Sequence, residues 1–433
     1  MKYAIATLGC KVNQYESQAI ETMLRERGHF PAERDADVVI VNSCAVTAES
    51  SRKSRQAARR LRERHPRALL ALCGCSFQLN PDEALELGAD LVFGSGERVK
   101  LVEAIEARVA MCSIPDMSDF RDFEELPAGN SSGRTRAMLK IQDGCDNFCA
   151  YCVIPYVRGR ARSLPLERAA ALAREIEQDG YRELVLTGIE ISSYGKDLPG
   201  GASIIDCVEA VAEGAPSARL RLGSLEPTAV TEDFCRRLRA LGRVCGHFHL
   251  SLQSGCDAVL MDMGRNYDTA RVTESLRLLR ELFPGCAVGA DVIAGFPGET
   301  ERQHLETLRF VEDCGFAFMH IFPYSKRPGT RAADFPGQLS RVEKARRAAD
   351  IHSLTERMKA DFLRGCIGKT LPVLFESEAN GVCSGHADNY CMVSAKGEAL
   401  RGLVENVYIT GVKEEMLVGN VEQIKVANVW DLC

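Results

Sequence analysis

Asp143-Gly144-Cys145-Asp146-Asn147-Phe148-Cys149-Ala150-Tyr151-Cys152 places three thiols in one short loop, separated by three residues and then by two. A loop this tight can wrap one corner of a cubane iron–sulfur cluster and ligate three of its irons, because thiolates are the ligands such clusters use. The fourth iron then has no protein ligand. An open position of that kind suits S-adenosylmethionine, whose amino and carboxylate groups can chelate the iron while an electron passes to the sulfonium. Structural zinc is the competing reading. It needs a fourth ligand, usually from a second cysteine or histidine pair. No such pair follows the loop, which favours the cluster.

Outward from the loop, the pattern from Arg136 to about Gly365 is strand–helix repeated. Strands are expected at Ala137–Ile141, Glu183–Leu186, Arg219–Leu222, His247–Leu252, Ala287–Ile293 and Phe318–Phe322. Helices fall between them, at about Leu166–Asp179, Ile204–Glu213, Glu232–Leu241, Thr269–Leu282 and Glu301–Cys314. Six such units are too few for a closed eight-stranded barrel but suit a partial (β/α)6 barrel, open on one side for a large substrate. The cysteine loop follows the first strand, at the end of the barrel where active sites are built. A long polar helix, Arg341 to Arg364, closes the unit.

The first 116 residues also alternate strand and helix: strands at Lys2–Thr7, Ala36–Val41, Ala68–Leu72 and Leu91–Phe93, helices at Glu16–Arg27, Glu49–Arg64 and Val99–Arg108. This is the pattern of a doubly wound parallel sheet, so the fold class is α/β. Cys10, Cys44 and Cys75 each sit just past the end of a successive strand, on the edge where open α/β sheets bind ligands. They could converge on a second cluster, again with one free iron, or be three buried cysteines packed as small apolar groups. Cys73 points the same way as Cys75 if the strand continues. Cys75 is the preferred ligand because it follows Gly74 in the turn.

Residues 117–134, rich in Asp, Glu, Gly, Ser and Pro, read as a linker with few core residues. After Cys366 the period changes to short strands at Thr370–Phe375, Tyr390–Ser394, Leu403–Ile409 and Glu422–Val426, about five in all. That is a small β-barrel comparable with the oligonucleotide-binding barrels.

The totals bound the rest. Length 433 implies two to three domains, and 45% hydrophobic with 26% charged residues is a globular composition. The N-terminus lacks the apolar core of a signal peptide, and no run is long enough to span a membrane, so a cytoplasmic protein is expected. Eighteen cysteines then argue for metal or redox chemistry over disulfides. A net charge of −6 makes any nucleic-acid surface local. Candidates are Arg52, Arg55 and Arg59 on one helix and Arg158, Arg160 and Arg162 behind the cysteine loop. Cys207, Cys235, Cys245, Cys256, Cys286 and Cys314 read as core filling, and His249 and His320 as barrel lining.

Seven segments in this order resemble one family: Leu8-Gly-Cys-Lys-Val-Asn13, Asn42-Ser-Cys-Ala-Val46, Gly74-Cys-Ser-Phe-Gln78, the Cys145/Cys149/Cys152 loop, His249-Leu-Ser-Leu-Gln-Ser-Gly255, Asp291-Val-Ile-Ala-Gly-Phe-Pro-Gly-Glu299 and Phe322-Pro-Tyr-Ser-Lys-Arg-Pro-Gly-Thr330. They are similar to the radical S-adenosylmethionine methylthiotransferases along almost the whole chain. The resemblance implies an N-terminal methylthiotransferase domain (1–116), a radical core (135–365) and a TRAM-type RNA-binding barrel (366–433). It implies two 4Fe-4S clusters, on Cys10/Cys44/Cys75 and Cys145/Cys149/Cys152, and S-adenosylmethionine as cofactor. Contacts to that cofactor are expected from Tyr151, Gly188, Glu226, Gln253, Ser254 and Gly295. The implied reaction is methylthiolation of C2 of an adenosine at position 37 of the tRNA anticodon stem-loop. An electron donor of flavodoxin or ferredoxin type is also implied, and the sulfur donor is left open. Lys11-Val12-Asn13 and Pro323-Tyr-Ser-Lys-Arg327 look like the type acting on N6-threonylcarbamoyladenosine. Sibling types act on isopentenyladenosine or on a ribosomal-protein aspartate. A reading of another class is an iron–sulfur RNA-binding redox sensor without catalysis.

Overall fold

Val38-Val39-Ile40-Val41 is apolar on both faces, as a strand covered by helices on either side must be. It forms the middle of the first sheet. The computed structural model describes residues 1–128 and 135–422. Its first sheet has six parallel strands: β1 (Lys2–Thr7), β2 (Phe30–Pro31), β3 (Val38–Ser43), β4 (Leu69–Gly74), β5 (Leu91–Phe93) and β6 (Met111–Ser113), in the order β2-β1-β3-β4-β5-β6. The strand order reverses between β1 and β3, so the loops after those two strands flank a topological switch point. The helix expected from Glu16 begins earlier, as Lys11–Glu26, directly after Cys10. Within its first turn Asn13 is buried, donating to the main-chain oxygens of Leu8 and Ser43. β2, β6 and the helices Cys75–Leu79 and Pro81–Glu86 are too short to show a period, and the sequence does not announce them.

The central region holds β7 (Arg136–Lys140), β8 (Gln142–Asp143), β9 (Arg162–Ser163), β10 (Glu183–Thr187), β11 (Arg219–Leu222), β12 (Ser224–Leu225), β13 (His247–Gln253), β14 (Ala287–Ala294) and β15 (Phe318–Pro323). β7, β10 and β11 form one parallel sheet and β12 to β15 another. Only Gly223 separates β11 from β12, and Leu220 bridges to Val244 ahead of β13, so the two sheets make one curved wall of six strand positions. This is the partial barrel expected. Leu139, Leu184, Leu186, Leu220 and Leu222 point outward into the main core, so the alternate residues point into the lumen. The antiparallel pair β8–β9 ties the two ends of the cysteine loop together. The six cysteines expected as core filling are all buried.

The segment read as a linker with few core residues is instead fastened down over its described part. Met117 and Leu126 are buried. The Tyr15 hydroxyl donates to the Leu126 carbonyl at 2.8 Å, and Lys140 lies 5.0 Å from the Phe123 ring centroid. A polar composition hid the few apolar side chains that close the seam between the two sheets.

β16 (Thr370–Ala379), β17 (Val382–Ala387), β18 (Met392–Lys396), β19 (Val404–Lys413) and β20 (Met416–Val421) close into a barrel in the order β16-β17-β18-β20-β19. β17 and β20 were not singled out in the sequence. The strand expected at Glu422–Val426 falls, past Glu422, outside the described residues. Arg219 and Arg221, projecting from the lumen face of β11, donate to carbonyls of Pro372, His386, Ala387 and Asp388 at 2.8–3.1 Å. Both arginines also bind Glu183, and Tyr390 lies beneath Arg221. The small barrel thus plugs one end of the lumen. No helix among the described residues is long and apolar enough to cross a membrane.

Candidate cluster and cofactor site

The loop Asp143–Cys152 owes its shape to Gly144, which sits at φ +70°; a Cβ there would lie 1.9 Å from the Arg160 carbonyl oxygen. Asp143 caps the turn by accepting from the Gly144 N–H at 2.8 Å. Each sulfur then receives a donor: Asn147 N–H on Cys145 Sγ (3.5 Å), Ile154 N–H on Cys152 Sγ (3.4 Å) and the Arg265 guanidinium on Cys149 Sγ (3.1 Å). Donors aimed at sulfur suit thiolates, yet burial pushes the Cys152 thiol up to about 12 and Cys145 up as well. A cationic centre among the sulfurs is what would take off those protons.

The second triad is assembled from three loops. Cys10 follows β1, Cys44 follows β3 and Cys75 follows β4; beyond the effect of burial, the nearby Cys10 thiol raises the Cys44 pKa, and Cys10 and Cys44 together raise that of Cys75. Gly9, at φ +101°, lets the first loop approach: a Cβ would sit 2.6 Å from that of Cys44. The choice between Cys73 and Cys75 is decided by direction. Cys73 is buried among Tyr3, Tyr15, Ile40 and Phe93 in the sheet's own core. Cys75 opens a helix and packs with Ala45, Val153 and Val157, towards the central loop.

Sulfur spacing separates cluster from zinc. Tetrahedral zinc at about 2.3 Å per ligand holds its sulfurs about 4 Å apart. Among the described residues neither triad has its three sulfurs within 4.8 Å of one another. Neither triad is therefore preset at the sulfur spacing of a tetrahedral zinc site.

Between the two triads lies a cavity of about 250 Å³ walled by Val46 and Thr47 from the Cys44 loop, Tyr151 from the central loop, and Gln253, Asp291, Ile293 and Phe322 from the barrel. The Ala48 N–H donates to Ser325 Oγ across the seam at 3.0 Å. Gln253 has φ +66° where the register of β13 and β14 shifts, a strained backbone that turns its side chain to the cavity. Asp291 accepts from both His249 and His320 at 3.1 Å. Burial would raise its carboxyl, but these bonds hold it below the usual carboxylate range. Glu226 joins the central loop, accepting from Arg265 at 2.8 Å and from the Asn147 amide at 3.4 Å. Beside it, burial and then the Glu226 charge push the Glu190 carboxyl up to about 7.

The cofactor residues expected from sequence divide accordingly. Tyr151 and Gln253 line the cavity and Glu226 abuts the cysteine loop. Gly188 packs against the Gln142 carbonyl, where a Cβ would come within 2.9 Å. Ser254 is buried away from the cavity, bonded to Thr307 Oγ1 at 3.2 Å. Gly295 meets the long closing helix, since a Cβ there would lie 2.6 Å from Lys344 Cγ. Both positions are thus tightly packed against helices of the barrel wall.

The expected RNA-facing arginines need a larger correction. Arg158 is fully buried: its guanidinium donates to Glu16 (2.8 Å), Asp143 (3.0 Å), Asn13 (2.8 Å) and, through Nε, Cys75 Sγ (3.3 Å). Arg162 is buried too, donating to the carbonyls of Arg158 and Arg160. A run of arginines looks basic in sequence, but alternate members here turn into the seam towards Asp143 and Glu16. Arg160 is exposed and pairs with Asp146; Arg52 pairs with Glu49 and Arg55 with Glu83; Arg59 is exposed. Sequence reading missed Arg265, Glu16 and Asp143 as parts of the site. Arg265 follows the left-handed Gly264 that caps a short helix, a position with no periodic signal.

Comparison with known proteins agrees with this geometry. Residues 139–311 match the Radical SAM superfamily, and residues 2–94 match a family described as "Uncharacterized protein family UPF0004". The fold class so defined is that of a radical S-adenosylmethionine enzyme carrying an extra N-terminal α/β unit. A Bacillus subtilis threonylcarbamoyladenosine tRNA methylthiotransferase is 35% identical, over 94% of this chain and 93% of its own. The Thermotoga maritima protein of the same name is 34% identical over 96% and 95%. A Thermotoga petrophila tRNA-2-methylthio-N(6)-dimethylallyladenosine synthase is 31% identical over 98% of each chain. Among solved structures, the radical S-adenosylmethionine methyltransferase TsrM from Kitasatospora setae shares the fold, with TM-score 0.58 at 14% identity over 88% of this chain and 80% of that one. The chain belongs to the radical S-adenosylmethionine methylthiotransferase family. A 4Fe-4S cluster and S-adenosylmethionine follow from that membership.

Proposed function

We propose that this enzyme places a methylthio group on C2 of N6-threonylcarbamoyladenosine beside the anticodon of tRNA. The observation that carries the reading is two cysteine triads, one in a loop and one gathered from three strands, on either side of one cavity. In support, relatives named for that tRNA reaction match over 94–96% of this chain. The parts are assigned as methylthiotransferase unit 1–116, linker 117–134, radical core 135–365 and RNA-binding barrel 366–433.

Cys145, Cys149 and Cys152 would hold the cluster that delivers one electron to the sulfonium of S-adenosylmethionine, and Cys10, Cys44 and Cys75 a second that presents sulfur, chemistry suited to a C–H bond no ordinary nucleophile opens. The chain supplies the rest. Tyr151 and Gln253 give the cavity a wall for an adenosine moiety. Glu226 fixes the Arg265 guanidinium against Cys149, where its charge would offset that of a thiolate-held cluster. Val46 and Thr47 supply the wall of the cavity on the side of the Cys44 loop. Arg158 locks the second triad to the first loop through Glu16 and Asp143. Exposed Arg52, Arg59 and Arg160 and the C-terminal barrel are assigned to the RNA backbone. An electron donor of flavodoxin or ferredoxin type completes the system.

The dimethylallyl substrate is the alternative, since relatives so named match at 31% identity. Nucleoside mass spectrometry of tRNA from cells with and without the gene, beside a Cys149→Ala strain, separates them. Loss of methylthiolated threonylcarbamoyladenosine in both strains is expected. Its persistence, with the dimethylallyl product lost instead, moves the assignment to the sibling reaction.

A further inference from the structure

A second cavity, of about 300 Å³, lies lower in the barrel lumen, between the wall strands, the N-terminal helix and the plug made by the C-terminal barrel. Lys11, Arg136, Arg221, Met138, Glu376 and Tyr390 are on its surface. Its charges are unequal. The carboxylates of Glu183 and Glu376 are already engaged: Glu183 by Arg219 and Arg221, Glu376 by Arg136 at 2.6 Å and His386 at 2.8 Å. Lys11 adds a further cation. Among the described residues no carboxylate lies within ion-pair distance of its ammonium, which shares the cavity with Arg136, Arg221, Tyr390 and the already paired Glu376. The Lys11 side chain is half-buried, partly withdrawn from solvent beside those two guanidinium groups. Lys11 also follows Cys10 directly in sequence, so the cavity and the second triad share one turn of the chain.

We propose that this cavity is a carboxylate subsite for the amino-acid substituent on N6 of the target adenosine, with Lys11 as its primary partner. The inference rests on the threonylcarbamoyl reading above and deepens it. A threonylcarbamoyl group ends in a carboxylate and carries amide and hydroxyl groups, which suit a lumen lined by cations and the Tyr390 ring. A dimethylallyl group brings no anion and would cover the half-buried Lys11 ammonium without pairing it, a cost that selects against it. Lys11 is thus a specificity determinant, not a catalytic residue.

The test uses the full reconstituted chain and three anticodon stem-loop RNAs, bearing threonylcarbamoyladenosine, its carboxamide analogue or dimethylallyladenosine. Binding is read by fluorescence anisotropy, with iron content as the check that Lys11→Met leaves the neighbouring triad intact. The parent should bind the acid about tenfold or more tighter than the amide, the worth of one buried charge-assisted hydrogen bond. Lys11→Met should abolish that ratio and Lys11→Arg largely restore it. A parent that does not distinguish acid from amide overturns the proposal without any variant. So does Lys11→Met with full iron and an unchanged ratio, while the substrate reading stands if the parent still methylthiolates the threonylcarbamoyl RNA. A parent that methylthiolates only the dimethylallyl RNA removes the substrate reading and the subsite with it.

Discussion

The two cysteine triads reach similar arrangements by opposite routes. Cys145, Cys149 and Cys152 are neighbours in one loop, shaped by Gly144 and tied off by β8 and β9. Cys10, Cys44 and Cys75 are separated in sequence and meet only because three parallel strands end at one edge of one sheet. The loop carries its geometry with it. The distributed triad has none until β1, β3 and β4 are paired and the seam to the central region is closed. The first should therefore be robust and the second the point at which strain elsewhere in the fold is felt.

The largest effect separates the two by chemistry. Cys149→Ala should abolish reductive cleavage of S-adenosylmethionine to 5′-deoxyadenosine. Cys44→Ala should retain that cleavage and lose methylthio transfer. Each triple Cys→Ala variant should fall from about eight to about four irons per chain, if each triad holds one cubane. Iron analysis with product chromatography reads all three. Equal loss of cleavage in Cys44→Ala would mean that the triads do not act separately.

The next effect acts on the seam. Glu16 and Arg158 are both buried, with Arg98, Lys140 and Asp143 around them. Removing one charge from such a group strands the others, at a cost of about 3–5 kcal/mol. Glu16→Gln should lower the denaturation midpoint accordingly and deplete iron from the distributed triad while sparing the loop triad. Arg158→Lys keeps the charge but loses the fork that spans Glu16, Asp143 and Asn13, so a smaller loss with the same selectivity is expected. Depletion of both triads alike would show the seam to be a general support.

Acid should loosen the molecule in the same pattern. Burial would raise the Glu183 carboxyl, but Arg221 and Arg219 hold it at about 2, against 4.5 ordinarily. A depressed carboxyl stabilises fully above its unfolded value and loses that contribution as pH falls from about 4.5 toward 2, on the order of 3 kcal/mol in all. Glu16 is lowered in the same direction by Arg158 and Arg98, against the effect of burial. In the iron-free protein, reactivity of the buried Cys44 and Cys75 toward a pyridyl disulfide should rise across that window before that of Cys149. Simultaneous exposure would mean that the loop triad depends on the seam as much as the distributed one.

The same contrast explains what could be read without coordinates. The central loop, the six strand positions and the three post-strand cysteines are local signals of spacing and period, and the structure has them where the sequence placed them. Arg158 and Arg162 could not be placed that way. A buried arginine and an exposed one have the same letter, and only the partners, Glu16 from 142 positions away and Asp143, turn the side chain inward. Ser254 and Gly295 likewise make their contacts to α-helices behind the wall, which no local spacing announces. Residues 117–128 carry the same lesson, since a handful of apolar side chains in a polar stretch decides whether it is a tether or a seam.

The smallest effect is the sharpest discriminator of how a distributed site is specified. Cys73 and Cys75 lie two apart, and strand alternation alone would give them one direction. The strand ends at Gly74, whose φ of +95° starts the helix Cys75–Leu79 and swings Cys75 out of the sheet. Cys73 stays behind in the core with Tyr3 and Phe93, its thiol pushed up to about 11 by burial. Cys73→Ala should therefore cost only the small void of a lost sulfur, about 1 kcal/mol, with iron content and transfer activity unchanged. Cys75→Ala, at a neighbouring and equally buried position, should leave stability near that of the iron-free parent and remove the second cluster. If Cys73→Ala also lost iron, the turn at Gly74 would have to open on cluster binding, and the distributed triad would be set by its ligand rather than by the sheet.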